Sequence, residues 1–414
     1  EFEFYLKDLK PKIVLVEKNS ENEVTEVAKK LEIPVCELKN SESNLAGDFN
    51  LFDKSAEYNL PNEDQEALVL HTSGTTSRPK IVPLSNSNIY SSSNNISKSL
   101  KLTDKDHCLN IMPLFHIHGL IAVLASSMKV GASVCATSGF NALKFLDQAK
   151  SEKITWYSGV PTMHQAILMR ADKNLDLAKN LNLRFLRSSS ASLPPAVFEK
   201  LNLVFNCPVI EAYGMTEATH QMTSNPLPPQ KQKPGFVGIP AGPDVCIMDN
   251  DYNIMKNGEE GEVCIKGSNV TVGYENNPEA NKNSFSNGWF RTGDQGYFDD
   301  EGYLKISGRL KEIINKGGEK ISPLEVDNVL MDHPAIEAAV CFGYADKMLG
   351  EDIATAIIIK EGKTCNEDDV KNFAKEKLAK FKIPKKIYFV KEIPKGATGK
   401  LQRNTLAKNF GLTG

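Results

Sequence analysis

The sequence predicts an α/β fold that begins with a doubly wound parallel sheet and continues into a β-rich segment and a second α/β segment. Residues 66–215 repeat the order strand, loop, helix, which is typical of a parallel sheet covered on both faces. Residues 232–308 instead contain short alternating strands separated by Gly, Asn and Asp. From about residue 310 a new α/β pattern begins, and it runs to the end of the chain.

The elements of the first region follow directly from runs of apolar residues. The predicted strands are, in order, EALVLH, HCLNIMPL, ASVCAT, ITWYSGV, LRFLRSS and PVIEAYGM. The predicted helices between them are SNSNIYSSSNNISKSL, HGLIAVLASSMKV, NALKFLDQAKSE, PTMHQAILMRAD and LPPAVFEKLNLVF. Ligands on such sheets bind beyond the carboxyl ends of the strands. The loops after residues 70, 187 and 213 are therefore the candidate functional loops.

The composition excludes several classes of protein. The 414 residues are 41% hydrophobic and 24% charged, with a formal net charge of −3, so we expect no nucleic-acid partner. No apolar run reaches the length of a membrane-spanning helix, so we expect no transmembrane segment. The eight cysteines lack zinc-ligand spacing and fit small buried side chains in a reducing compartment.

The first chemical motif is HTSGTTSRPK, residues 71–80, which lies between two apolar strands. It is not a Walker A loop, because a proline precedes its lysine and a strand follows it. Its glycine, its hydroxyls and its closing lysine can nevertheless bind a polyphosphate. A solvated Ser/Thr turn is the alternative interpretation. The candidate phosphate-binding residues are Thr72, Ser73, Gly74, Thr75, Thr76 and Lys80.

The second motif, EAYGMTEATH at residues 211–220, follows a predicted strand. Tyr213 offers a flat ring to a base, and Thr216 offers a hydroxyl to a phosphate oxygen. Glu217 offers a carboxylate to Mg²⁺, which prefers oxygen ligands. A strand end followed by a capped helix would explain Thr216, but it gives no reason for Tyr213 and Glu217.

Two further motifs lie nearer the end of the chain. In GWFRTGDQGYFDDEGYLKISGRLKEIINKGGEKISP, Asp294 sits in a glycine turn where its carboxylate can accept hydrogen bonds from ribose hydroxyls, and Arg309 follows it. PKGATGKLQR, residues 394–403, is a Gly-containing loop that presents Lys400. A solvated tail loop is the alternative for this last motif.

These four motifs, in this order, resemble the adenylate-forming superfamily of acyl-CoA synthetases, luciferases and peptide-synthetase adenylation domains. The resemblance covers residues 65–405 and implies an N-terminal AMP-binding domain at 1–308, including the β-rich subdomain 232–308. A hinge at 309–311 and a mobile C-terminal domain at 312–414 would follow. The family has Gly where this chain has Ser77, and it places roughly a hundred further residues before the phosphate loop, so we expect this first domain to be incomplete at its start.

The resemblance also implies a role for each matching residue. The expected adenine and ribose contacts are Ser190, Ala191, Tyr213, Asp294 and Arg309. Thr216 would contact the α-phosphate, and Glu217 would bind the magnesium ion.

The remaining roles implied by the resemblance concern the two half-reactions. Lys400 would bridge the acyl carboxylate and the α-phosphate during adenylation, and Lys311 would be the hinge. Gly317 and Gly318 would line the path of the pantetheine chain. The expected substrates and cofactors are ATP, Mg²⁺, coenzyme A and a carboxylic acid, which becomes an acyl-adenylate and then a thioester.

The segments RSSSASL and EATHQMTSNPL resemble the oxalate–CoA ligases of fungi and plants. Serine hydroxyls, including that of Ser189, and the His220 imidazole are polar groups suited to a second carboxylate on a small acid. His220 could instead be a locally hydrogen-bonded histidine at a helix start. His116 is expected to wall the acyl site, and His118 is expected to be structural.

Other functions stay open at this point. A medium-chain fatty acid or 4-coumarate type ligase would require an apolar acyl pocket, and a peptide-synthetase domain would require an acidic residue for an amino group. A protein of another class, an inactive nucleotide-binding fragment or interaction module, would bind ATP without releasing pyrophosphate. The expected location is the cytoplasm or the peroxisome, although the chain has no Ser-Lys-Leu end.

Overall fold

The computed structural model describes residues 2–18, 22–40, 49–50, 60–72, 79–396, 401–403 and 405–412. Ser73, Gly74, Thr75, Thr76 and Lys400 lie outside these described residues. The chain divides into two compact units, Glu1–Pro61 and Asn62–Gly414.

The first unit is a small α/β element. It contains helices α1 (Phe2–Leu9) and α2 (Glu23–Lys30) and strands β1 (Val14–Glu17), β2 (Val35–Asn40) and β3 (Phe49–Asn50). Strand β2 pairs in parallel with β1 and antiparallel with β3, which gives a three-stranded sheet. Asn22 caps α2, because its side chain accepts a hydrogen bond from the backbone N–H of Val24 at 2.8 Å.

The second unit begins with a two-stranded hairpin, β4 (Glu66–His71) and β5 (Ile81–Ser85). The sequence pattern predicted that residues 66–71 would join the parallel sheet, and this was wrong. The connection from β4 to β5 is too short for a parallel crossover, so the two strands pair antiparallel instead. The hairpin consequently fixes both ends of the predicted phosphate loop.

A seven-stranded sheet forms the centre of the second unit, in the order β12-β11-β10-β9-β8-β6-β7. Strands β6 to β10 are parallel, whereas β11 and β12 pair antiparallel. The strands are β6 (His107–Asn110), β7 (Ser133–Ala136), β8 (Trp156–Gly159), β9 (Phe185–Ser188), β10 (Val209–Met215), β11 (His220–Ser224) and β12 (Ile239–Pro240). The helices are α3 (Asn86–Ser99), α4 (Ser126–Met128), α5 (Phe145–Ser151), α6 (Pro161–Ala171), α7 (Leu175–Lys179) and α8 (Pro195–Phe205).

Both faces of the parallel strands are buried, as the sequence predicted. Tyr157 and Leu186 lie in the hydrophobic core on one face, and Trp156 and Phe185 lie in the core on the other. Successive residues of a strand point to opposite faces, so each strand contributes to both cores. The predicted helix HGLIAVLASSMKV forms a π-helix, His118–Ala125, that continues into α4. Such segments occur frequently at functional sites.

The predicted β-rich segment forms an antiparallel five-stranded sheet. Its strands are β13 (Asp244–Met248), β14 (Gly261–Lys266), β15 (Phe285–Ser286), β16 (Trp289–Phe298) and β17 (Leu304–Arg309), with α9 (Pro278–Ser284) before β15. A 3₁₀ turn, Leu310–Glu312, follows β17. It contains the residue predicted to be the hinge.

The last segment forms another five-stranded sheet with helices beside it. Its strands are β18 (Ile314–Lys316), β19 (Glu319–Ile321), β20 (Ile336–Asp346), β21 (Gly350–Ile359) and β22 (Lys386–Phe389). Its helices are α10 (Pro323–Met331), α11 (Glu367–Lys377) and α12 (Leu406–Asn409). The α/β fold class with a β-rich subdomain and a smaller mixed C-terminal part is thus confirmed.

Candidate active site

Three of the predicted adenine and ribose contacts meet at one place. Strands β16 and β17 pair Asp294 with Arg309, and Arg309 Nε lies 3.2 Å from Asp294 Oδ1. Tyr213, near the carboxyl end of β10, donates its hydroxyl to Asp294 Oδ2 at 2.5 Å. Asp294 is only 4% exposed, and both of its oxygens have partners. The three residues therefore form a connected polar cluster at a strand end.

The predicted magnesium ligand connects to the phosphate loop through a residue that the sequence did not single out. Glu217 lies in a 3₁₀ turn after β10, and its Oε1 accepts a hydrogen bond from the Tyr274 hydroxyl at 2.8 Å. Lys80 Nζ lies 4.2 Å from the centroid of the Tyr274 ring. Burial lowers the pKa of Lys80, with a further lowering from Lys311, while Glu217 opposes it. Charges of both signs thus meet at the base of the loop.

The two ends of the predicted phosphate loop are joined by backbone contacts. Thr72 N–H donates to the Lys80 carbonyl at 2.9 Å, and Lys80 N–H donates to Thr72 Oγ1 at 3.1 Å. Thr216 opens the 3₁₀ turn that contains Glu217. The described parts of the first and second motifs lie in one region, because Lys80 and Glu217 both contact Tyr274.

The glycine pair predicted to face pantetheine forms an exposed turn between β18 and β19. Gly317 and Gly318 have φ angles of 60° and 96°, which a side chain would strain. Gly317 N–H donates to the Leu349 carbonyl at 2.8 Å. Within the described ranges, no hydrogen bond or ion pair joins this turn to Tyr213, Glu217 or Asp294. Among the described residues, the turn therefore has no direct polar contact with these three residues.

Two of the three predicted acyl residues, His116 and His220, lie beside His118. His118 Nδ1 lies 3.0 Å from Ser190 Oγ, and its Nε2 lies 2.6 Å from Ser158 Oγ. The His118 and His220 ring centroids are 5.1 Å apart. His118 N–H also donates to His116 Nδ1 at 3.2 Å, so His116 borders the same group.

Ser189 occupies a different position from its neighbour Ser190. Its hydroxyl is buried and donates to the Ala212 carbonyl at 2.8 Å, so this donor is already used. Ala191 follows Ser190 in the loop after β9 and is half-buried.

The backbone around these residues is strained. Ser190, Thr219 and His220 have φ angles of 72°, 48° and 98°, in the left-handed region that non-glycine residues rarely adopt. A Cβ on Gly214 would lie 2.0 Å from the His220 carbonyl oxygen, so only glycine permits this close approach of β10 and β11. Strain of this kind clusters at functional sites.

Both histidines are buried and are held neutral. Burial lowers the pKa of His118 and of His220 well below the ordinary value, and the nearby Arg187 charge lowers both further. Neither ring nitrogen of His220 has a hydrogen-bond partner among the described residues. The neutral His220 imidazole can donate one N–H to a ligand, but it brings no charge, and both ring nitrogens of His118 already lie beside serine hydroxyls.

Sequence reasoning missed Tyr274 and Ser158. It predicted a structural role for His118, whose buried ring lies between the Ser158 and Ser190 hydroxyls. Tyr274 stands in a glycine- and asparagine-rich stretch without a motif, and only the fold brings it to Glu217.

Glu217 fits a magnesium ligand. It is 7% exposed, and among the described residues only Tyr274 hydrogen-bonds to its carboxylate, through one oxygen. The described residues contain no group of three or more His, Cys, Asp or Glu that could hold a metal ion. A single carboxylate is nevertheless the usual protein contribution when Mg²⁺ is shared with substrate phosphates.

The α/β sheet and the polar site at the carboxyl ends of its strands are those of a nucleotide-binding enzyme. Residues 1–275 match the AMP-binding enzyme family, and residues 325–400 match the AMP-binding enzyme C-terminal domain. The chain therefore belongs to the AMP-binding enzyme family, which confirms the superfamily resemblance.

Individual relatives are similar over nearly the whole chain. The oxalate–CoA ligase of Arabidopsis thaliana is 48% identical across 99% of this chain and 81% of its own length. The oxalate–CoA ligase of Saccharomyces cerevisiae is 44% identical across 99% of this chain and 80% of its own length.

A solved structure of O-succinylbenzoate coenzyme A synthetase from Bacillus subtilis, in complex with ATP and a magnesium ion, has the same fold. Its TM-score is 0.82 at 30% identity, and the match covers 98% of this chain and 81% of that one. Across the described residues, no helix is long and apolar enough to cross a membrane.

Proposed function

We propose that this protein is an ATP-dependent acid–CoA ligase that acts on oxalate or a similarly small dicarboxylate. It forms an acyl-adenylate with release of pyrophosphate, and then an acyl-CoA thioester with release of AMP. Two groups of contacts carry the proposal. Asp294 contacts both Tyr213 and Arg309, and Tyr274 contacts both Glu217 and Lys80. The Glu217 charge also acts on Arg309. The two oxalate–CoA ligases at 44% and 48% identity support the choice of acid.

The chemistry requires two anions to meet, because the substrate carboxylate attacks the α-phosphorus of ATP. Lys80 at the loop base and Lys400 supply positive charge for this step, and Thr216 donates a hydrogen bond to the α-phosphate. Mg²⁺ held by Glu217 would neutralise charge on the phosphates. Asp294 and Arg309 hold the ribose, and Tyr213 stacks on the adenine, with Ser190 and Ala191 on its other side.

The second step uses a different part of the chain. The coenzyme A thiol attacks the acyl carbon, and AMP leaves. We assign Gly317 and Gly318 to the pantetheine path, since they form an exposed turn without side chains. Rotation of residues 312–414 about a hinge at 309–311, centred on Lys311, would bring Lys400 to the site in the first step and this turn in the second.

The polar character of the acyl residues favours a small acid over a fatty acid. The two buried ring nitrogens of His220 have no partner among the described residues, and an alkyl chain would leave them unsatisfied at a cost of roughly 1–3 kcal/mol. The eight cysteines, all in described positions, form no disulfide, which favours a reducing compartment, the cytoplasm or the peroxisome.

The test is pyrophosphate release with MgATP and four acids: oxalate, malonate, octanoate and 4-coumarate. We expect release with oxalate and its loss in Lys400→Ala and His220→Ala. Octanoate turnover that is indifferent to His220→Ala would contradict the small-acid assignment but keep the ligase. ATP binding without pyrophosphate release from any acid would instead identify a non-catalytic nucleotide-binding module.

A further inference from the structure

Arg187 is a buried cation for which the proposed reaction has so far given no role. It lies on β9 with 0% exposure. Its Nη2 donates to Gln221 Oε1 at 3.1 Å, while its Nε and Nη1 are buried without a partner among the described residues. Burying a charged group without hydrogen-bond partners costs free energy of folding. Such a group in a folded protein therefore indicates a ligand or another function.

Among the described residues, no acid forms an ion pair with Arg187. Gln221 Nε2 donates to Ser99 Oγ and to the Ala241 carbonyl, both at 3.0 Å, which turns the neutral Oε1 toward Arg187. Burial lowers the pKa of the guanidinium to about 9, and no acidic partner offsets that burial. The charge of Arg187 is therefore available to an anion that enters this region.

The position of Arg187 connects it with the acyl residues. Strands β8 and β9 pair Ser158 with Arg187, so both side chains point to the same face of the sheet. Ser158 hydrogen-bonds His118, which lies beside His220. Burial is the main cause of the lowered pKa values of His118 and His220, and the nearby Arg187 charge lowers both further.

The charge balance of a dicarboxylate requires such a group. One carboxylate of the acid reacts with ATP, and the other stays ionised and has to be buried. His220 is neutral and can supply a hydrogen bond only, and both ring nitrogens of His118 already lie beside serine hydroxyls. A guanidinium supplies both a positive charge and two parallel N–H donors, which match the geometry of a carboxylate.

We propose that Arg187 binds the non-reacting carboxylate of the substrate and so determines the preference for dicarboxylic over monocarboxylic acids. This inference rests on the proposed ligase function. The alternative is that Arg187 only ties β9 to β11 through Gln221, without touching the substrate.

The experiment compares oxalate with oxamate, in which a neutral amide replaces the second carboxylate. Pyrophosphate release is measured for the wild type, Arg187→Met, Arg187→Lys and Gln221→Met. The control Arg184→Met removes an arginine three positions earlier, which is 36% exposed and pairs with the buried Asp106. Binding of ATP to each variant reports whether its fold is retained.

We expect Arg187→Met to lower kcat/KM for oxalate about 100-fold and to lower it for oxamate less than about 10-fold, because only oxalate carries the second charge. Arg187→Lys keeps the charge but not the fork, so an intermediate loss of about 10-fold is expected. Arg184→Met is expected to match the wild type. Gln221→Met is expected to change the oxalate-to-oxamate ratio much less than Arg187→Met does.

Three results would overturn the inference. An unchanged oxalate-to-oxamate ratio in Arg187→Met, with oxalate turnover retained, would remove Arg187 from the substrate site and leave the ligase function intact. Equal effects of Gln221→Met and Arg187→Met on that ratio would assign Arg187 to the strand contact. If Arg187→Met fails to bind ATP, Arg187→Lys takes its place, and an oxalate-to-oxamate ratio equal to that of the wild type would remove Arg187 from the substrate site. A wild type that releases no pyrophosphate with any acid would overturn the ligase function itself.

Discussion

Two arginines in this molecule show what pairing does to a buried charge. Arg187 lies in the central sheet with one amide partner. Arg403, whose side chain is 17% exposed, contacts Asp327 at 2.7 Å and Glu312 at 3.1 Å and also donates to the Cys341 carbonyl. The pKa of Arg187 is lowered by burial, whereas the acidic partners of Arg403 raise its pKa despite burial.

The difference separates a structural charge from one that is available to a ligand. Arg403 is satisfied by the protein itself, and it ties the chain just after Lys400 to the residue that follows Lys311. Arg187 gains its full set of contacts only when an anion arrives. Removing Arg403 should therefore cost stability, while removing Arg187 should cost activity.

A large loss of stability is expected for Arg403→Met. It leaves Asp327 and Glu312 without their cation, and breaking a buried ion pair from one side costs about 3–5 kcal/mol. Chemical denaturation measures the loss. The control is Lys200→Met, which breaks an exposed pair with Asp172 and should cost less than about 1 kcal/mol. Equal losses in the two variants would show that Arg403 is not a structural charge.

Gly214→Ala should disturb the Arg187 region without changing any charge. The new methyl group would approach the His220 carbonyl to 2.0 Å, so β10 and β11 must separate. Overpacking of this kind costs about 1–3 kcal/mol, and we expect oxalate turnover to fall with it. Gly139→Ala is a control for backbone strain alone, because its Cβ would meet nothing within 4 Å although the φ angle of Gly139 is 143°. Wild-type turnover in Gly214→Ala would mean that the position of His220 is unimportant.

The sequence predicted residues that belong to local motifs better than residues that the fold brings together. Tyr213, Thr216 and Glu217 were identifiable because they lie in one strand–turn segment. Arg187 was not, because both faces of a parallel strand are buried, and a strand such as LRFLRSS does not reveal which arginine points inward. Arg184, three residues earlier, is 36% exposed and pairs with Asp106. Only the structure distinguishes the two arginines.

The hairpin of residues 66–85 illustrates the same limit for the fold. Its strands were correctly predicted, but their pairing depends on the length of the connection rather than on the residue pattern. Ser158 reaches the site through the pairing of β8 with its neighbours. Tyr274 lies in a loop whose backbone hydrogen-bonds to the Glu217 and Ile81 carbonyls. The roles of Lys400 and the loop residues, in contrast, follow from motifs alone and stay predictions.

Glu211→Gln tests a buried carboxyl group instead of a buried cation, and its effect is a change of stability with pH. Burial raises the Glu211 pKa to about 8, and its Oε2 has no partner among the described residues. Between pH 4.5 and 8 the folded chain therefore keeps a proton that the unfolded chain releases. As the pH rises through this window, the wild type should lose about 1.4 kcal/mol of its free energy of unfolding, relative to Glu211→Gln, for each pH unit.

Denaturation of both proteins at pH 5, 6, 7 and 8 measures that difference. The three buried histidines, His118, His164 and His220, have lowered pKa values and destabilise both proteins below about pH 6.5, so their contribution cancels in the comparison. Parallel curves for the two proteins would mean that Glu211 is ionised in the folded chain.

The smallest expected change in stability is that of Arg187→Met, and it sharpens the comparison most. The variant loses one hydrogen bond to Gln221, worth about 1 kcal/mol, and it removes the cost of burying an unpaired charge. These two changes oppose each other, so the free energy of unfolding should stay within about 1 kcal/mol of the wild type or rise above it. A loss as large as that of Arg403→Met would show that Arg187 is already paired in the folded protein, and the two arginines would then have the same structural role.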